Sequence, residues 1–185
     1  MWGGLPFLMN INIDKALAIE GWMLPTELAW LAEKASKAQI GIEIGSWMGR
    51  STRAIGDHIQ GTLFSIDNWR GLRRSKHHRS KRLYFNNLHD LLGSGKIVSI
   101  EHNSQLGIPH LLKDHQADFL FIDGDHSYDG CLSDITHFSS IVRSGGIISG
   151  HDYDHPKHPG VRQAVHHAFG DYINLHDTIW WTIKA

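Results

Sequence analysis

The sequence predicts a doubly wound α/β domain: a mostly parallel sheet with helices on both faces and an antiparallel hairpin at its C-terminal edge. Three observations predict it. Short apolar runs alternate with segments of helical period along the whole chain. The run Phe119-Leu120-Phe121-Ile122 shows no alternation, as expected of a strand buried on both faces. Several runs also stop abruptly at polar residues, at Gly45-Ser46, Asp67, Asp123 and His151-Asp152. In open α/β sheets that carboxyl edge is where ligands bind.

The totals agree. The 185 residues suffice for one domain with a real core, so residues 1–185 are taken as a single domain. Charged residues make up 20% and hydrophobic ones 41%, the balance of an ordinary soluble globule. A net charge of −1 selects neither nucleic acid nor a membrane surface. The one cysteine, Cys131, excludes an internal disulfide and fits a reducing, cytoplasmic setting. The first residues lack the basic region of a signal peptide, and no apolar run is long enough to span a bilayer. Fifteen histidines are first of all composition, and only those beside carboxylates are given a role.

In order, residues 1–24 form an irregular lead-in, with Trp22 and Met23 packing on the body. Pro25-Thr26-Glu27 opens a helix to about Ala38, with Leu28, Leu31 and Ala35 on one face. A strand over 40–44 leads through a glycine turn into a helix over 50–59, and a strand over 63–66 ends at Asp67. A loop runs from Asn68 to about Ser80, followed by a helix over 81–92, a strand over 97–100 and a helix over 104–114. After the strand 119–122 comes a helix over 130–142, then Ser144-Gly145-Gly146 as a turn into the strand 147–150. A helix over 161–169 and a hairpin over 172–183, turning near His176-Asp177, close the chain. The strongest local bias lies at 68–82, which is rich in Arg, Lys and His and has no acid beyond Asp67. It is either a solvated loop or a lid over an anionic substrate. Its sparse aromatic content argues against a nucleic-acid patch.

Gly41-Ile42-Glu43-Ile44-Gly45-Ser46-Trp47-Met48-Gly49-Arg50 sits where the first strand hands over to the first helix of the sheet. A pyrophosphate site would carry G-x-G-x-x-G here. This chain instead spaces glycines four apart and places Glu43 inside the motif, which repels a pyrophosphate and welcomes a cation. Asp67 ends the second strand, where an acid pairs with ribose hydroxyls. A ligand with a ribose, no phosphate and a positive charge is S-adenosylmethionine.

These features resemble the class I S-adenosylmethionine-dependent methyltransferases, whose fold is Rossmann-like. More narrowly, Glu43-Ile44-Gly45-Ser46-Trp47 through Thr52, Ile66-Asp67 with Trp69, Phe121 through Tyr128, and the Gly145-Gly146 turn before His151-Asp152 are similar to the macrocin O-methyltransferase and cephalosporin-modifying group. The resemblance implies that Gly45 and Ser46 lie against the methionine part of the cofactor. Glu43 holds the turn or faces the ammonium group, and Asp67 takes the ribose. Asn103 and Ser104 contact the adenine. Trp69 covers the adenine face or anchors the loop.

Asp123, His151 and Asp152 end neighbouring strands if the topology holds, and their donors then converge on a divalent ion. Carboxylates suit Mg²⁺, and related metal-dependent O-methyltransferases use such a site to hold a hydroxyl and lower its pKa. The position of His151 usually carries a carboxylate in these relatives. A histidine shifts the set toward Mn²⁺, Fe²⁺ or Zn²⁺, or makes the residue a pocket wall with no metal. His126 matches the general base of the macrolide-sugar relatives, and an imidazole titrates near neutrality. On spacing alone it is equally a helix-capping histidine. Asp125 is expected to orient the turn, Tyr128 to line the pocket, and Cys131 to be buried.

The expected activity is therefore metal-assisted O-methylation of a small hydroxylated molecule, with no membrane or nucleic-acid partner. A non-catalytic S-adenosylmethionine-binding module and, ranked lower, a metallophosphoesterase are the alternatives. A homo-oligomer joined through exposed tryptophans such as Trp180 or Trp181 would complete a substrate pocket.

Overall fold

β1 (Ile40–Ile44) sends Ile42 and Ile44 to one face of a sheet and Gly41 and Glu43 to the other, and the rest of the fold is built outward from it. The computed structural model describes residues 11–70, 74–106, 112 and 116–185, and of residues 74–78 the backbone alone. β1 pairs in parallel with β2 (Thr62–Ile66) on one side and with β4 (Ala117–Ile122) on the other. β3 (Ile97–Ile100) extends the sheet beyond β2, and β5 (Val142–Gly150) extends it beyond β4, both parallel. β7 (Ile179–Ile183) runs antiparallel to β5 and to β6 (Asn174–His176), which gives the order β3-β2-β1-β4-β5-β7-β6. The direction of winding reverses between β1 and β4, so a crevice opens at their carboxyl ends.

The helices among the described residues are α1 (Asp14–Leu17), α2 (Pro25–Ala35), α3 (Arg50–His58), α4 (Arg74–Asn87), α5 (His89–Gly93), α6 (Tyr128–Ser139) and α7 (Pro159–Phe169). They build two cores. Phe119 and Phe121 pack with Leu28, Leu31, Ile55 and Ile59 on one face of the sheet, while Leu120 and Ile122 pack with Ile135, Phe138, Val161 and Val165 on the other. Each such side chain contributes about 1.5–3 kcal/mol by leaving water. β4 is thus the strand buried on both faces that its unbroken apolar run predicts, and it fixes Asp123 at the crevice.

Several boundaries differ from the sequence expectation. The stretch after Asp67 turns helical at Arg74, not near Lys81, because from there on it holds no Gly or Pro and many good helix formers. Residues 71–73 of that stretch lie outside the described residues. The expected helix over 81–92 is divided between α4 and α5 at Leu88. Gly145 and Gly146 lie inside β5, where a register shift against β4 falls between Ala117 and Phe119, instead of forming a separate turn. Ser104 and Gln105 form a turn, and most of the helix expected at 104–114 lies outside the described residues, as do residues 1–10 of the lead-in. Trp180, expected at the surface, is fully buried in the second core, and Trp181 is half-buried. No helix among the described residues is long and apolar enough to cross a membrane.

Candidate active site

The turn after β1 is held from both sides. The Gly45 N–H donates to the Ile66 carbonyl at 2.9 Å, and the Asp123 N–H donates to the Ile44 carbonyl at 2.7 Å. Gly45 has φ +85°, and a Cβ there would sit 2.0 Å from the Asp123 carbonyl oxygen. Only glycine lets the ends of β1 and β4 close on each other. Asp67 then clamps the turn. Its Oδ2 accepts the N–H groups of Ser46 and Trp47 at 2.9 and 2.8 Å, and its Oδ1 accepts the Trp69 N–H at 2.6 Å. A carboxylate offers about four acceptor positions, so roughly one remains for a ligand. Trp69 is buried against Tyr84 and Phe85 and donates from Nε1 to the Trp47 carbonyl at 2.7 Å, which anchors the loop.

Glu43 stands apart from these. It lies fully buried beneath α3, where its carboxyl accepts the hydroxyls of Ser51 and Thr52 at 2.6 Å and of Ser65 at 3.2 Å. Burial pushes this carboxyl up to about 7 despite those hydrogen bonds. It does not line the crevice, so the expectation that it could face a cationic ammonium is corrected: Glu43 braces the turn from below. The strand's alternation explains this, because Glu43 points to the α3 face with Gly41.

At the other end of the crevice, four side chains from the ends of β4 and β5 meet. The Nε2 of His126 lies 2.9 Å from Asp152 Oδ2 and 3.3 Å from Asp123 Oδ1. The Nδ1 of His151 lies 3.4 Å from Asp152 Oδ1 and 3.8 Å from Asp123 Oδ1. The bonds to Asp123 and Asp152 hold the His126 imidazolium up to about 10. Burial resists ionisation of Asp152, yet the His126 bond keeps its carboxyl below the usual range. Asp152 itself has φ +61°, a left-handed conformation uncommon for a residue with a Cβ. That turn sends the two oxygens of one carboxylate toward two different histidines.

Glu27 was not singled out as a site residue, although it belongs here. It reaches across from α2, almost wholly buried, and its Oε2 accepts from His151 Nε2 at 3.2 Å and from the Leu24 N–H at 2.8 Å. Its Oε1 accepts from Thr178, N–H at 3.1 Å and hydroxyl at 2.6 Å. Burial alone would raise the carboxyl, but these bonds pull it down to about 2. Burial would likewise lower His151, but the Glu27 bond and the nearby carboxylates hold it at about 9. The sequence signal for Glu27 was its place three residues after Leu24, where it caps the helix.

The crevice has a volume of about 1070 Å³, and every predicted catalytic, cofactor-binding and metal-binding residue except Glu43 lines it. Asn103 accepts the Gln105 N–H at 3.0 Å, and Ser104 donates to Asp134 at 2.7 Å. Asp125 accepts the Ser127 N–H at 2.9 Å and so organises the turn into α6, which Ser127 caps. Tyr128 does not line the crevice as expected. Its hydroxyl pairs with His167 on α7. Cys131 is buried, which pushes its thiol up to about 12.

The sequence matches a family model described as a methyltransferase domain over residues 42–153, more than half of the chain. No curated protein matches it. Solved structures share its fold at low identity. An O-methyltransferase from Bacillus cereus, in complex with S-adenosylhomocysteine, superposes with a TM-score of 0.65 at 15% identity, covering 93% of this chain and 90% of its own. TomG from Streptomyces achromogenes, an O-methyltransferase of tomaymycin synthesis in complex with S-adenosylmethionine, gives 0.64 at 15%, covering 89% and 82%. A TDP-rhamnose 3'-O-methyltransferase of calicheamicin biosynthesis gives 0.64 at 14%, covering 85% and 77%. The matched span contains the glycine turn, Asp67 and the whole Asp123–Asp152 cluster, and the chain belongs to the methyltransferase-domain family.

Proposed function

We propose that this protein transfers the methyl group of S-adenosylmethionine to a hydroxyl of a small molecule, with a divalent ion at Asp123, His151 and Asp152. The observation that carries the proposal is that the Gly45–Asp67 turn and the Asp123–His126–His151–Asp152 cluster open on the same crevice. One end suits the cofactor and the other the acceptor. The narrower likeness to the macrocin O-methyltransferase group rests on the sequence motifs alone.

At the cofactor end, Asp67 takes a ribose hydroxyl with its remaining acceptor position, and the Gly45-Ser46 backbone borders the methionine part. Asn103 has committed its Oδ1 to Gln105, so its amide NH₂ is the group left for adenine, beside Ser104. Trp69 contributes a ring edge while its indole N–H stays fixed to Trp47. In-line displacement at a sulfonium needs little beyond alignment of acceptor oxygen, methyl carbon and sulfur, so positioning supplies much of the rate.

The residues at the chemical end fit a divalent ion. One ligand atom each from Asp123, His151 and Asp152 lies within 4.8 Å of the others. The far nitrogen of His151 is bonded to Glu27, the carboxylate–histidine pairing that orients metal-binding imidazoles. The two carboxylates suit Mg²⁺ or Mn²⁺, and the imidazole favours Mn²⁺ of the two. When bound, such an ion would supply positive charge that lowers the pKa of an acceptor hydroxyl. His126 borders the same space; with an ion held by Asp123 and Asp152 it would first release its own Nε2 proton to solvent, and the freed Nε2 would then accept the hydroxyl proton.

The test is formation of S-adenosylhomocysteine by the purified protein with a panel of catechols and sugar nucleotides, with and without Mg²⁺ or Mn²⁺. Turnover that depends on the ion and disappears in Asp123→Ala supports the proposal. Turnover unchanged by chelator and by Asp123→Ala refutes the metal's part in it.

A further inference from the structure

We infer that His126, His158 and Asp152 form a second metal site, one that takes a nitrogen-preferring ion such as Zn²⁺. One ligand atom from each lies within 4.8 Å of the others. Asp152 is placed to serve both sites. Its Oδ1 faces His151 at 3.4 Å and its Oδ2 faces His126 at 2.9 Å. A carboxylate whose oxygens diverge in this way can bridge two ions.

The backbone holds His158 where the site needs it. Between Asp152 and α7 the chain makes two successive tight turns, His155 N–H to the Asp152 carbonyl at 3.2 Å and His158 N–H to the His155 carbonyl at 2.9 Å. Pro159 then starts α7. A Cβ on Gly160 would come 2.5 Å from the Tyr128 nitrogen and 2.8 Å from the His126 carbonyl oxygen. The missing side chain lets the first turn of α7 rest on the backbone of 126–128. His158 is thereby laid over His126, with ring centres 4.2 Å apart and planes 26° from parallel. Donor atoms on one tetrahedral ion, with metal–nitrogen bonds of roughly 2.0–2.1 Å, stand about 3.4 Å apart, so ion binding turns the two stacked rings until their nitrogens converge. His155 stacks behind His158 at 4.6 Å and buttresses it.

The donor sets divide the two sites by chemistry. Asp123, His151 and Asp152 offer more oxygen than nitrogen. His126, His158 and Asp152 offer two imidazoles and one carboxylate, a set that favours Zn²⁺, Co²⁺ or Fe²⁺ over Mg²⁺. The site stands on geometry alone. Its consequence rests on the proposed function: an ion here occupies the His126 nitrogen that would accept the proton, so Zn²⁺ inhibits methyl transfer while Mg²⁺ supports it.

The experiment is calorimetric titration of the full chain with Zn²⁺ in the presence of saturating Mg²⁺. Wild-type protein is expected to bind Zn²⁺, and His158→Ala to bind it at least about tenfold more weakly, with Mg²⁺ affinity unchanged. Imidazole ring resonances of wild-type protein give a reading free of any folding effect of the substitution. Zn²⁺ should shift His126 and His158. Absence of Zn²⁺ binding in the wild type, equal Zn²⁺ affinity in His158→Ala, or an unmoved His158 ring at saturation would overturn the inference. None of these readings needs cofactor or acceptor, so they stand even if the protein proves not to bind S-adenosylmethionine. If Zn²⁺ binds and His158→Ala weakens it, but transfer is not inhibited, the site stands and the role of His126 as base fails.

Discussion

His151 Nε2 donates to Glu27 Oε2 at 3.2 Å, and through this one bond a helix N-terminus on one side of the crevice orients a side chain at the end of β5 on the other. Both partners are largely buried, so removing either leaves a charge without its counterpart. Glu27→Ala is expected to cost about 3 kcal/mol and to weaken divalent-ion binding by at least about tenfold. Glu27→Gln, which keeps an acceptor, should lose less of both. Urea unfolding and Mn²⁺ titration read the two effects. A loss under 1 kcal/mol, roughly that of a surface pair, would show that the bond orients nothing.

Glu43 gives the stability of the protein a pH dependence that can be isolated. Its carboxyl is raised from 4.5 to about 7 by burial. The folded protein therefore holds a proton that the unfolded chain has released. The contribution is fully present below pH 4.5 and is lost as pH rises toward 7. In total it amounts to roughly 3 kcal/mol. Other carboxylates titrate in the same range, so the quantity to compare is the difference between wild type and Glu43→Gln. The stability of the wild type relative to Glu43→Gln should fall as pH rises through this window. Parallel stability curves would contradict it.

Gly45→Ala should be among the most damaging substitutions of one methyl group. The new Cβ meets the Asp123 carbonyl, and φ +85° is unfavourable for alanine. A cost upward of about 2 kcal/mol follows, and Asp123 moves with the strand end. Gly95→Ala is the control. It also has positive φ, but nothing lies within 4 Å of its Cβ. Thermal melting should separate the two variants. Equal melting points would mean the β1–β4 closure is not tight.

His126→Ala should lower turnover by roughly 10²–10⁴-fold, the usual worth of general-base catalysis, while leaving S-adenosylmethionine affinity near that of wild type. The residue is bonded to Asp123 and Asp152, whereas Asp67 holds the Ser46 and Trp47 turn. Turnover and cofactor affinity falling together would instead mark His126 as structural.

Much of this was legible in the sequence because the strands announce themselves. The unbroken run at 119–122 and the polar stops at Asp67, Asp123 and His151-Asp152 gave both the sheet and the crevice. Glu43 shows where such legibility ends. Its position in the glycine motif was plain, but which face of β1 it occupies depends on α3 covering that face with Ser51 and Thr52. Glu27 was hidden for the opposite reason. It lies 124 residues from His151 in sequence, and its local capping role fully accounts for it there. The start of α4 at Arg74 was missed because a dense basic run resembles a solvated loop, while its helix propensity is good. Trp180 was misplaced because its burial comes from the pairing of β7 with β5, which the hairpin pattern alone does not reveal.

The measurement that bears most directly on the central claim is calorimetric titration of S-adenosylmethionine into the purified protein, alongside Asp67→Ala. That substitution removes the acceptor for three backbone N–H groups at the turn together with the proposed ribose contact. Saturable binding near one equivalent by the wild type, abolished in a folded Asp67→Ala, is the predicted result. No binding by the wild type, or unchanged affinity in Asp67→Ala, would contradict it.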